Sequence, residues 1–203
     1  TMDASRSHDK LSIELSIIKN LIEEKAYEDG LNKALTLIDQ FHESAMLHYA
    51  IAVCLYELNR LNDATIHIEF AASVFRLSEE SDRDELGQLT AISGLLARTG
   101  HFGHVIPLIT RNLNSIHWPV DDTAILRELV NICMTAESAE TGLKILDHAF
   151  ETYSNSELFV DYLLTTALVA HATDKSDLEF ESYIKALELD PGNPKIHSRI
   201  SRF

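Results

Sequence analysis

An all-α fold built from helical hairpins is predicted by three observations on these 203 residues. Apolar residues recur at i, i+3, i+4 and i+7 along the chain, the spacing that gives a helix one buried face. Glycine, at 7 residues, and proline, at 4, are too few to punctuate a chain of β-hairpins or a sandwich. The helical stretches also come in short pairs joined by polar turns, with small residues where two helices must touch. Together these give five helical hairpins and the start of an eleventh helix. The units span about 11–44, 45–78, 86–119, 121–155 and 157–191, with a partial capping helix at 194–203, in a single repeat domain.

The first helix is expected over about 11–25, with Leu11, Leu15, Ile18 and Ile22 on one stripe. Tyr27 opens its partner, in which Gly30, Ala34 and Leu37 follow the small-and-apolar spacing. In the second unit Ile51, Ala52 and Leu55 face Ala64, Ile68 and Ala71; Gly30 and Ala64 are 34 residues apart, so the two units are in register. The acidic run Ser78-Glu-Glu-Ser-Asp-Arg-Asp-Glu85 reads as a lengthened loop or an extra helical turn. Leu89, Ile92, Ser93 and Leu96 carry the next helix, and Gly100 can take a positive φ in the turn before Phe102. Val105 and Ile109 continue beyond it, with Pro107 expected in the first turns, where a missing N–H is best tolerated. Trp118-Pro119 closes the unit, and Asp121, Asp122 and Thr123 suit a helix cap. Leu126, Leu129, Val130 and Cys133 then face Gly142, Leu146, Ala149, Phe150 and Tyr153. In the fifth unit Leu163, Ala167 and Ala170 precede Tyr183 and Ala186; Pro191 stops the helix and Asn193 can cap the last one.

Residues 45–78, the Gly100-His-Phe102 turn and the ending Ala186-Leu-Glu-Leu-Asp-Pro191 carry a resemblance to the tetratricopeptide repeat, a helix–turn–helix unit of about 34 residues. The resemblance implies a right-handed superhelix of about five stacked hairpins, since one hairpin cannot bury its own apolar face and must stack on neighbours. Three positions depart from the repeat. His48 stands where the repeat carries a tryptophan-like residue, and Val105 and Glu179 replace the small residue of the second helix. Wider or rotated hairpins are expected at the last two.

The formal net charge of −15 argues against a nucleic-acid partner, because a phosphate backbone would be repelled. The sequence has no uncharged apolar stretch of about 18 residues to cross a membrane and opens without a secretory signal pattern, so a cytoplasmic protein is expected. Thr1 before Met2, and an end at Phe203 inside a helical pattern, suggest a piece of a longer protein. Cys54 and Cys133 lie on apolar stripes and read as small buried hydrophobes rather than a disulfide. Catalytic signatures are lacking. His42-Glu43 begins an H-E-x-x-H pattern that Met46 breaks, and Ser93-Gly94 lacks the preceding glycine of a nucleophile elbow. His101 and His104 are three residues apart with no third ligand, and read as solvated turn histidines. The expectation is a non-enzyme without cofactor or metal.

In the repeat family the first helix of each unit lines a concave groove. Carried over, this geometry implies a partner-binding groove of Lys19, Tyr49, Val53, Tyr56, Thr90, Arg98, Arg127, Asn131, Met134 and His171. Tyr and Met offer broad contact area, and Arg can fork onto a carboxylate. The clamp that holds chaperone C-termini is broken, since Lys19 is followed by Val53 where an asparagine would be needed. The function implied is a protein–protein interaction scaffold that takes a peptide or partner helix in its groove. The alternative is a substrate-recruiting domain of a larger enzyme such as a bacterial glycosyltransferase. Self-association through an exposed face or an unpaired terminal repeat is a third reading.

Overall fold

The computed structural model describes residues 2–116, 123–152 and 157–203, and among them every regular element is a helix. In chain order these are α1 (Met2–Glu23), α2 (Tyr27–Leu35), α3 (Ala45–Glu57), α4 (Leu61–Val74), α5 (Arg83–Arg98), α6 (Phe102–Asn112), α7 (Thr123–Thr135), α8 (Ala139–Thr152), α9 (Glu157–Ala172), α10 (Ser176–Leu189) and α11 (Pro194–Ile200), with one 3-10 turn at Leu113–Ser115. The fold class is all-α, as the apolar spacing predicted. The expectations placed on Trp118, Pro119, Asp121, Asp122 and Tyr153, and on the side chain of Phe150, lie outside what is described.

Among the described residues one turn repeats five times. Lys25, Asn59, Gly100, Glu137 and Asp174 all have positive φ, between 56° and 79°. In each case the next residue's N–H reaches back to the carbonyl four positions before the turn residue: Ala26 to Leu21, Arg60 to Leu55, His101 to Leu96, Ser138 to Cys133 and Lys175 to Ala170, at 2.8–2.9 Å. This left-handed closure satisfies carbonyls that a helix C-terminus leaves open. Five residues after each turn residue stand Gly30, Ala64, Val105, Gly142 and Glu179, all buried. The repeat is thus written in the backbone more regularly than in the side chains.

The chain divides into two compact units, Thr1–Arg76 with Ala91–His104, and Leu77–Thr90 with Val105–Phe203. In the first unit α1 packs on α2, α2 on α3 and α3 on α4, and α1 also meets α3. Ile18, Leu31, Ala34, Leu47, Ile51, Leu55 and Ala64 form its core, with Leu15, Ile22 and Tyr27 packed around them. A Cβ added to Gly30 would stand 3.2 Å from Cys54 Sγ and 3.7 Å from Leu21 Cβ, so the glycine lets α2 approach both neighbours. Lys33 Nζ lies 2.6 Å from Glu14 Oε2 and ties α2 to α1. Helix α1 starts at Met2 rather than near residue 11. Once a helix is nucleated each further residue adds a hydrogen bond, and residues 2–10 hold no Gly or Pro to stop it. Helix α2 is shorter than expected, and Leu37 is buried from the turn beyond it.

In the second unit α7 packs on α8, α8 on α9, α9 on α10 and α10 on α11, and α7 also meets α9. Leu163, Ala167, Tyr183, Ala186 and Ile196 form a core there, with Phe159, Val160 and Ile200 around it. Asn193 caps α11 by accepting from Lys195 N–H at 3.0 Å, with Pro194 at the first helical position. The acidic run is loop over 78–82, and its last three residues, Arg83, Asp84 and Glu85, add an opening turn to α5. Asp82 Oδ1 accepts from Glu85 N–H at 2.9 Å and Glu85 Oε2 accepts from Asp82 N–H at 3.3 Å, a reciprocal cap that starts α5 at Arg83, earlier than expected. The loop is pinned by Asn112, whose Oδ1 accepts from Leu77 N–H at 2.7 Å while its Nδ2 donates to the Leu108 carbonyl at 2.8 Å. Pro107 is the sixth residue of α6, in its second turn and past the four N–H groups that a helix start leaves unpaired. The helix continues through it without that N–H, a local cost of about 3 kcal/mol that burial of Val105, Leu108 and Ile109 offsets.

Candidate functional site

On α3, Tyr49 and Tyr56 are half-buried, seven residues apart on one side of the helix. Val53, between them, is 8% exposed and belongs to the core, so it gives a partner no surface. On α1, Lys19 is exposed, with Nζ 3.9 Å from Glu23 Oε1 in an i,i+4 pair open to solvent. Arg98 is exposed in the last turn of α5. Thr90, earlier on α5, is 4% exposed and donates its hydroxyl to the Leu86 carbonyl at 2.8 Å, so it too is withdrawn from the surface. Both corrections have one cause. A helix stripe wide enough to pack against several neighbours takes in residues at the edge of the face assigned to a partner.

The second unit has the better-formed face. Leu126, Leu129, Val130 and Cys133 bury one side of α7. Arg127 and Asn131 are exposed and Met134 is half-buried, at i, i+4 and i+7 on another side. Arg127 Nη2 lies 4.0 Å from Asp161 Oδ1 on α9, with about half of each side chain in solvent. Asp161 lies 34 residues beyond Arg127, so no local spacing points to it. His171, on α9, is exposed, and its Nδ1 stands 3.1 Å from Glu179 Oε2 on α10. His171 is therefore committed to a buried carboxylate as well as to the surface.

Other candidate chemistry separates on inspection of the geometry. His101 is half-buried with Nδ1 2.6 Å from Thr99 Oγ1, while His104 is exposed, as expected, with Nε2 3.3 Å from Glu69 Oε1. Burial pushes the Cys54 thiol up to about 11 and the Cys133 thiol up to about 12, which leaves both protonated and unreactive near neutrality. Among the described residues no group of three or more His, Cys, Asp or Glu side chains is placed to hold a metal ion, and no helix is long and apolar enough to cross a membrane.

Sequence reasoning missed one feature of the first unit. A cavity of about 170 Å³ opens among α2, α3 and α4, lined by Leu31, Leu35, Ile51, Leu55, Arg60, Asp63, Ile66 and His67. Ile66, at 67% exposed, was the available signal, an isoleucine off the buried stripe of α4.

No protein-family model and no curated protein matches the sequence. Solved structures do resemble it. YrrB, described as a TPR protein with an unusual peptide-binding site, is 10% identical, with a TM-score of 0.54 over 94% of this chain and 91% of that one. PilF of Pseudomonas aeruginosa is 12% identical, with a TM-score of 0.46 over 97% of this chain and 99% of its own. The C-terminal part of a TPR repeat-containing protein of Cytophaga hutchinsonii is 13% identical, with a TM-score of 0.29 over 91% and 98%. The likeness to YrrB, the five repeated turns and the buried residues five positions after them agree, and the chain is a helical-repeat protein with the tetratricopeptide-repeat fold.

Proposed function

We propose that the chain is a protein-interaction scaffold, and that it takes a peptide or a partner helix along the outward faces of its first helices without chemistry of its own. The observation that carries this reading is the α7 face, where Arg127, Asn131 and Met134 line up beside a buried apolar side. Such a face offers what an extended peptide needs: a guanidinium for a carboxylate or carbonyl, an amide for its backbone, and a thioether that adapts to varied side chains. The 4.0 Å separation of Arg127 and Asp161 is loose, so a partner carboxylate can replace Asp161 at little cost. A peptide-binding site in YrrB, a protein of the same fold, adds support. Lys19, Tyr49, Tyr56 and Arg98 are the corresponding candidates on α1, α3 and α5.

The test begins with capture of partners by the intact protein and reconstitution of one complex from purified components. Arg127→Ala with Asn131→Ala should then weaken that complex several-fold or more while helical content stays unchanged. Lys144→Ala, on the exposed side of α8, should leave affinity as it was. The assignment fails if the double variant binds like the wild type and Lys144→Ala does not. Arg98→Ala in the same assay reports whether α5 takes part.

A further inference from the structure

His48, in the first turns of α3, and His67, in the middle of α4, stand ring to ring. Their Nδ1 atoms are 2.9 Å apart and their ring centroids 4.9 Å apart. His48 also stacks on Phe70, with centroids 4.2 Å apart, and its Nε2 lies 2.9 Å from the carbonyl oxygen of His42. That carbonyl can only accept, so Nε2 of His48 carries a proton. The neutral ring then has a bare Nδ1, and His67 donates its Nδ1–H to it. One extra proton can be housed, because His48 can donate to a His67 that holds its own proton on Nε2. A second cannot, since two N–H groups would then face each other across 2.9 Å.

We propose that the His48–His67 pair is a pH-sensitive latch between α3 and α4, closed while the pair holds at most one extra proton and opened when both rings are charged. This goes beyond the scaffold reading and does not depend on it. The charged groups that act on the pair are His42 in the preceding turn and Asp63 on α4, the latter held by Arg60 at 2.9 Å. Helix α2 presents Leu31 and Leu35 to the cavity that His67 lines. Burial lowers the proton affinity of both rings, and His42 lowers that of His48 and His48 that of His67 further; the His42 carbonyl at His48 and Asp63 at His67 oppose this only in part. The sign follows. Both groups are depressed on folding, so their contribution is fully present above the ordinary histidine value of about 6.5. It is lost as pH falls through that value toward the folded ones, because the unfolded chain takes up protons first. The unfolding constant of this region rises by at most about tenfold per pH unit for each proton so gained.

The experiment is an NMR titration of the full chain from pH 7.5 to 5, following the imidazoles of His48 and His67 and the amides of α3 and α4. In the wild type the two rings should titrate as a coupled pair, and the α3 and α4 amides should shift as the second proton enters. His48→Phe keeps an aromatic ring on Phe70. In that variant His67 should titrate singly and at higher pH, and the acid shifts of α3 and α4 should vanish. His67→Gln, read at His48, runs the same test from the other side and covers a His48→Phe chain that does not fold. Two independent wild-type curves near the ordinary histidine value, or amide shifts identical in wild type and variants, would overturn the latch.

Discussion

In the second helix pair the position five residues after the turn holds Ala64; in the fifth it holds Glu179. Both are buried, at 3% and 9% exposed, and the turns before them, at Asn59 and Asp174, have φ of 59° and 56°. The glycines show what this position faces. Cβ atoms added to Gly30 and Gly142 would each stand 3.7 Å from the Cβ of the residue four before the turn, Leu21 and Cys133. In the second pair that facing residue is Leu55, and in the fifth it is Ala170. By repeat position a large residue facing a small one becomes a small residue facing a large one, an exchange that would keep the summed volume similar. The carboxylate that enters with Glu179 meets His171, three residues before the turn, where the second pair has Tyr56. The backbone turn thus fixes the repeat, and the contact beside it admits more than one filling, provided volume and charge are both answered.

The sharpest way to break this comparison is to move the acid without its compensation. Ala64→Glu would press a carboxylate against Leu55 with no base at Tyr56. It should cost about 3–5 kcal/mol, the range for a buried charge left without its partner, read as a fall in the denaturant midpoint. A loss below about 1 kcal/mol would mean that the side chain escapes to solvent and that Ala64 does not mark a close contact.

Volume exchange is tested next. Ala170→Leu alone should cost about 1–3 kcal/mol by overpacking against Glu179. Ala170→Leu with Glu179→Ala rebuilds the arrangement of the second pair, and most of that loss should return. Additive effects in the double variant would show that the two positions do not share a contact. His171→Ala has a smaller expected effect, about 1 kcal/mol, because Glu179 loses its hydrogen-bond partner but keeps some access to water. Retention of full stability would mean that the pair is an incidental surface contact.

The same comparison explains what could be read from the sequence. The second pair was legible because Ala64, Ile68 and Ala71 sit where a small-and-apolar stripe should, and all three are buried. At the fifth pair Glu179 was visible as a departure, but its remedy was not. Glu179 pairs with His171, eight residues earlier and on the preceding helix, and no local spacing links the two. The α7 stripe was read correctly from Leu126, Leu129, Val130 and Cys133, while Asp161 opposite Arg127 and the His48–His67 contact arise only when helices pack. Val53 and Thr90 were misplaced for a related reason. A helical wheel gives a direction, and how wide an arc is buried depends on how many helices arrive.

The smallest effects lie in the turn itself, where sequence and backbone agree least. Only Gly100 among the five turn residues has the side chain that the left-handed conformation prefers. Asn59 and Asp174 are the residue types that tolerate it best, because a short polar side chain can bond locally. Lys25 and Glu137 have no such help. Glycine at either of those two positions removes the steric penalty but gives the unfolded chain more freedom, so the gain should be about 0.5–1 kcal/mol rather than the full penalty. Asn59→Gly and Asp174→Gly should change stability by only a few tenths of that unit, and Gly100→Ala should lose about 1 kcal/mol. Thermal midpoints of the five single variants give the ordering directly. If Lys25→Gly and Glu137→Gly prove no more stabilising than Asn59→Gly and Asp174→Gly, side-chain identity at the turn is indifferent. The repeat would then be held by the packing of its helices alone.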